Sequence, residues 1–208
     1  MASDGEPGSS EGQGAGLVLA SASRYRRDLL GRFGLTFTVD AAEIDETPLD
    51  GESPRTLVQR LSIAKARAVA KRWPNAVVVG SDQVATFDGR IVGKPGSAEA
   101  AVGQLLTFGG RRVDFLTGLA VLNAAVDRLS THVDVTTTRF RNTTEEDIRR
   151  YVDLDQPLDC AGGIRLEGRG PCLLEGVDTE DPTAAIGLPL IKLAALLRAE
   201  GINPLRPT

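Results

Sequence analysis

The sequence predicts an α/β protein with a mixed central sheet flanked by helices. Three observations carry this. Leu17–Ala20, Ala76–Val79 and Phe115–Leu122 are strand-length runs of apolar, small or β-branched residues. They alternate with segments whose apolar residues recur at helical spacing behind serine or threonine caps. Asp88-Gly89 is the strongest short turn signal in the chain, and it folds Ile91-Val92 back on the strand before it.

Residues 1–16 are mostly Gly, Ser and Glu, which reads as a disordered tail without the apolar core of a secretory leader. Residues 17–208 are then one folded domain. After Leu17–Ala20 comes SASRYRRDLL, where Ser21 or Ser23 can cap a helix and Tyr25 shares a face with Leu29. Arginines at 24, 26 and 27 oppose the dipole of that helix. They suit a bound anion as well as a solvated basic face. Phe33 to Val39 suggests a second strand. Glu43, Asp45 and Glu46 then put three acids in four residues, either a solvated loop or one neutralised by a cation. Ser53-Pro54 starts a helix running to about Arg72. Its stripe of Leu57, Val58, Leu61, Ala64 and Ala68 includes Lys65, whose ammonium either snorkels or meets an anion. For a lone lysine, snorkelling is the expectation.

The strand Ala76–Val79 is expected to end at Gly80. Ser81-Asp82-Gln83 then stands at its carboxyl end, where open α/β sheets bind ligands. The Asp88-Gly89 hairpin can bring Asp82 and Lys94 together. Such a pair suits a phosphate, a metal or an attacking water, or it is a plain surface ion pair. Ser97 caps a helix to about Leu106, ended by Gly109-Gly110. Phe115–Leu122 and His132–Phe140 read as antiparallel partners across the turn 123–130. Thr143-Thr144-Glu145-Glu146 is a capping box for the next helix. Residues 160–176 are dense in glycine, which calls for unusual backbone angles or close approach to a ligand. Glu167 in that loop faces a pocket or water. The last helix opens after Gly187-Leu188-Pro189, with Leu190, Leu193, Ala194 and Leu197 on its apolar face and Gly201 as its C-cap.

Composition excludes several classes. Hydrophobic residues are 41% and charged residues 25%, ordinary for a globular protein, and no apolar run approaches the roughly 20 residues of a membrane span. Net charge is −4; the acids Asp4, Glu6 and Glu11 leave −4 + 3 = −1 for residues 17–208. That argues against a broad nucleic-acid footprint, so any phosphate recognition is local. Cys160 and Cys172 fit neither a zinc spacing nor a disulfide framework, which suggests a reducing compartment. His132 is the single histidine, so a Ser-His-Asp triad is disfavoured and any metal is a hard ion held by oxygens.

The segments LVLASASRYRRDLL, EIDET, VVVGSDQVATFDGRIVGKP, FLTGLAV, CAGG with GRG, and IGLPL stand in the order of the Maf family of nucleoside triphosphate pyrophosphatases. The resemblance covers residues 17 to about 205. It implies a Maf/Ham1 (ITPase-like) fold with a cleft between two lobes. SDQVA, Tyr25 between arginines, Glu167, Cys160 and Asn203-Pro204 resemble the branch that hydrolyses 7-methyl-GTP. Arg24 departs from the family's usual proline. Carried over by position, the resemblance implies Asp82 as general base and metal-associated carboxylate, and Glu46 as second acid, holding Mg²⁺ or Mn²⁺ with it or orienting the water. It implies Ser21, Arg26, Lys65 and Lys94 on the triphosphate, and Tyr25, Gln83 and Glu167 on the base. It also implies a homodimeric cytoplasmic enzyme that clears modified nucleotides, releasing diphosphate and 7-methyl-GMP. The alternatives are dTTP or UTP as substrate, and a nucleotide-binding regulator of cell division with little turnover.

Overall fold

A computed structural model describes residues 16–206, so the predicted tail lies, Gly16 apart, outside the described residues. The strands are β1 (Leu17–Leu19), β2 (Thr38–Val39), β3 (Val77–Phe87), β4 (Arg90–Val92), β5 (Arg112–Asn123), β6 (Arg128–Phe140) and β7 (Leu174–Asp178). The helices are α1 (Arg24–Gly31), α2 (Pro54–Ala70), α3 (Ala98–Thr107), α4 (Glu145–Asp155) and α5 (Leu190–Ala199). The sheet runs β2-β1-β3-β5-β6-β7, with β4 paired to β3. β1 lies parallel to β2 and β3, and the remaining pairs are antiparallel, so the sheet is mixed as predicted.

Alternation along the strands sorts side chains into layers. On one face Leu17, Leu19, Val77, Val79, Leu119 and Val121 pack against Leu29 and Leu30 of α1 and Leu193 and Leu197 of α5. On the other, Val18, Val78, Ala120 and Leu122 pack against Ala66 and Val69 of α2. Beyond this first lobe β3, β5 and β6 run on. There Ala85, Val113, Phe115 and Phe140 meet Val102 and Leu105 of α3 and Ile148, Tyr151 and Val152 of α4, which forms a second lobe. No described helix is long and apolar enough to cross a membrane.

Several expectations are corrected. β3 does not end at Gly80. It continues to Phe87 because β5 pairs with it from Val77 to Thr86, so Ser81-Asp82-Gln83 lies inside the sheet. The second strand is only Thr38–Val39, since β1 is three residues long and offers no longer ladder. β5 and β6 extend toward each other beyond the predicted ends and leave only residues 124–127 as the turn. The cap of α4 is Thr144, whose side chain accepts from the Asp147 amide and donates to the Asp147 carboxylate, so the capping pair is Thr144 with Asp147 and not Thr143 with Glu146. Gly201 follows the cap residue Glu200 in the left-handed region at φ +81°. Other signals read true. Ser23, Ser53 and Ser97 cap α1, α2 and α3, and Asp88 and Gly89 both take positive φ in the β3–β4 turn. Arg24 stands at the first helical position behind an intact Ser23 cap.

Candidate active site

A cavity of about 900 Å³ opens between the lobes. Its floor comes from the α2 side of β3. Val78, Gly80 and Asp82 share that face, and two glycines there bring α2 close. A Cβ on Gly80 would run into the Ser62 carbonyl, and one on Gly118 into the Val58 carbonyl. This close approach lets a lysine from the buried stripe of α2 reach the sheet. Lys65 Nζ lies 2.6 Å from Asp82 Oδ1 and 2.8 Å from Glu46 Oε1. The lysine does not snorkel. It is 7% exposed and holds two carboxylates with one ammonium. Burial pushes the Glu46 carboxyl up, but the hydrogen bond and charge of Lys65, with Lys94 and Arg26 behind it, hold it below its ordinary value. Lys94 reaches the same cavity through the predicted hairpin, yet the ammonium bonded to Asp82 is that of Lys65.

The loop that carries Glu46 is tied down by α2. Arg60 grips Glu52 at 2.7 and 2.8 Å and donates to the Thr47 carbonyl at 3.1 Å. Of the acidic run, Glu46 is thus paired with Lys65, and Asp45 feels the charge of Arg60.

Above Asp82 stands the amino end of α1. Arg26 is half-buried, donating from Nε to the Gly187 carbonyl at 2.9 Å and from Nη1 to Ser21 Oγ at 3.4 Å. Burial lowers the guanidinium's pKa while Asp82 and Glu46 act against that. The guanidinium stays charged, since arginine starts so high. Ser81 also donates to the Gly187 carbonyl, at 3.0 Å. Lys65, Arg26, Ser21 and Lys94 thus present three cations and a hydroxyl to one end of the cavity. That arrangement suits a polyphosphate.

The other end is aromatic and mixed in charge. The Tyr25 hydroxyl accepts from Arg24 Nη2 at 2.7 Å and lies 3.4 Å from Asp159 Oδ1 and 3.6 Å from Cys160 Sγ. Burial and the Cys160 thiol push its phenol up to about 12, and burial pushes the Cys160 thiol up to about 11. Both are neutral at physiological pH. Glu167 lines the cavity and pairs with Arg165 at 3.0 Å. α4 presents this loop: the Asp155 carboxylate accepts from the Arg169 amide at 2.6 Å, and its carbonyl accepts from Arg165 Nη1 at 2.9 Å. Gly168 and Gly170 sit where a Cβ would strike Asp155 and the Arg165 carbonyl, which explains the glycine density.

Gln83 points to the opposite face of the sheet from Asp82. Its Nε2 donates to Thr117 Oγ1 at 2.9 Å and to the Ala184 and Ala185 carbonyls at 3.0 Å each. The amide protons are thereby occupied in pinning the segment that carries Ala184 and Ala185. All nine residues named from the sequence line this cavity. Sequence reading gave no role to Arg60, Ser81, Thr117, Asp155, Asp159 or Arg165. Their contacts join segments from eight to more than 100 positions apart, and no local pattern encodes that.

The described residues contain no group of three or more His, Cys, Asp or Glu placed to hold a metal, and both cysteines are free. The Maf-like protein family model matches residues 16–200. A 7-methyl-GTP pyrophosphatase of Idiomarina loihiensis is 49% identical over 191 residues, covering 91% of this chain and 96% of that protein. One of Aromatoleum aromaticum is 50% identical, covering 89% and 96%. One of Pseudomonas aeruginosa is 48% identical, covering 90% and 97%. With the family model spanning nearly all the described fold, this chain belongs to the Maf family.

Proposed function

We infer that the protein hydrolyses the α–β phosphoanhydride of a nucleoside triphosphate, with 7-methyl-GTP as its substrate. The observation that carries the chemistry is Lys65 bridging Asp82 and Glu46 beside Arg26 and Ser21. The relatives' shared name carries the substrate.

In this reading the triphosphate lies across Ser21, Arg26, Lys65 and Lys94, whose charges offset those of the substrate and of the leaving diphosphate. Asp82 accepts the proton of the attacking water, and Lys65 fixes the direction of its carboxylate. Lys65 uses one oxygen of each acid and leaves Asp82 Oδ2 and Glu46 Oε2 open. Two such oxygens fit Mg²⁺ or Mn²⁺, hard ions commonly held by one or two carboxylates plus substrate phosphates. Bound there, the ion would supply further charge for the leaving group. Tyr25 stacks on the base, and Glu167 accepts from its N–H groups. A homodimer in the cytoplasm, whose reducing conditions suit the free thiols, completes the reading.

The test is diphosphate release from 7-methyl-GTP, GTP, dTTP, UTP and CTP with Mg²⁺, by wild type and Asp82→Asn. Preference for 7-methyl-GTP, lost in the variant, is the expected result. Preference for dTTP or UTP overturns the base reading. Absence of all turnover favours a nucleotide-binding regulator.

A further inference from the structure

The base end of the cavity is built to hold a cation. The Tyr25 ring has two guanidiniums near it, Arg24 Cζ at 4.8 Å and Arg165 Cζ at 5.6 Å from its centroid. Both distances are within reach of a cation–π attraction. Two carboxylates flank the same ring. Glu167 is already matched, since Arg165 neutralises it at 3.0 Å. Asp159 hydrogen-bonds only to neutral groups, the Tyr25 hydroxyl at 3.4 Å and the Cys160 thiol at 3.6 Å. It is exposed and lines the cavity.

Arg24 is the resident cation of this ring. It too is exposed, and its one hydrogen bond here goes to the phenol oxygen at 2.7 Å. Such a side chain leaves at little cost. A purine methylated at N7 carries positive charge in the ring system itself. Stacked on Tyr25, it replaces the charge that Arg24 takes away. A neutral purine displaces the same guanidinium and returns no charge.

We propose that Asp159 is a specificity-determining residue of this site, the counter-ion of a cationic purine that takes the place of Arg24 on Tyr25. The inference rests on the 7-methyl-GTP reading and divides the labour among the base-end residues. Tyr25 supplies the stacking face, Glu167 hydrogen-bond acceptance, and Asp159 net negative charge.

The experiment compares kcat/KM for 7-methyl-GTP and for 7-methyl-7-deaza-GTP, a neutral isostere, in wild type, Asp159→Asn and Asp159→Glu. Asp159 is exposed and Asn matches its shape, so folding is not at stake. Wild type is expected to prefer the cationic nucleotide. Asp159→Asn lowers that preference about fivefold, the size of one partly exposed charge pair. The change falls on KM, and Asp159→Glu restores the preference. Brisk turnover of 7-methyl-GTP with the isostere equally good, or a preference that survives Asp159→Asn, overturns the inference and leaves the reading standing. Absence of diphosphate release from 7-methyl-GTP by wild type overturns both.

Discussion

At the residue scale the decisive group is Lys65. In the sequence it is a charge inside an apolar helical stripe, and helix chemistry alone favours snorkelling. Across the interface with β3 it meets Asp82 and Glu46. A lysine so placed cannot be removed without leaving carboxylates that repel each other and lack a partner. Lys65→Met is therefore expected to lower kcat at least 100-fold and to destabilise the fold by about 3 kcal/mol, read by urea denaturation. The pH profile gives a finer check. Glu46 is depressed below 4.5 in the folded protein, so its charge, and the stability tied to it, persist as pH falls to 4.5 and are lost only below that. Lys65→Gln removes the leading cause of that depression and is expected to move the acid limb of kcat/KM to higher pH. A limb that stays in place would separate Glu46 from activity. At the base end, the Tyr25 phenol is neutral over the working range. Tyr25→Phe is expected to stay within about twofold of wild type, and Tyr25→Ala to lose about tenfold in kcat/KM, the worth of one stacked base.

At the element scale β3 organises the site, because its alternation sends Asp82 toward α2 and Gln83 toward the 184–187 segment. The close approach of α2 depends on Gly80 and Gly118, whose added Cβ atoms would meet backbone that cannot swing aside. Gly80→Ala is expected to cost about 3 kcal/mol in a urea titration and to abolish turnover together with the Lys65–Asp82 contact. The loop bearing Glu46 depends instead on Arg60. Arg60→Met is expected to lower kcat about tenfold through a misplaced Glu46. The melting temperature should fall as well, since the Glu52 side chain is only 4% exposed and would be left without its partner. The caps Ser23, Ser53 and Ser97 and the Asp88-Gly89 turn were legible in the sequence because each is a local rule, whereas the buried stripe of α2 is completed by Ala66 and Val69 and not by the predicted Ala64 and Ala68. The length of β3 was not legible either, since Gly80, a weak strand former, is carried by ladder bonds to β5.

At the scale of the whole molecule, two lobes share one continuous sheet and hold the substrate cavity between them. Chelation by EDTA is expected to abolish diphosphate release and Mg²⁺ to restore it; activity that persists would sink the metal reading. A second whole-molecule effect lies outside the cavity. Asp134 is buried with Oδ1 unpartnered, and burial followed by the charges of Asp181 and Glu180 raises its pKa despite His132. A carboxyl with a raised folded pKa costs stability as pH rises from its unfolded value to the folded one, carries the full cost above that, and costs nothing where it is protonated in both states. Asp134→Asn is therefore expected to raise the melting temperature at pH 7 and to give no such gain near pH 3. The α/β class, the capped helices, the hairpin and the family were all legible in the order of residues, because propensity, capping and motif spacing are properties of neighbouring positions. Only the tertiary structure decided that Lys65 serves Asp82 and Glu46, that Gln83 spends its amide on a loop, and that Asp159 stands unmatched beside Tyr25. Those facts arise where distant segments meet, and there distance and burial set the energy of a charge.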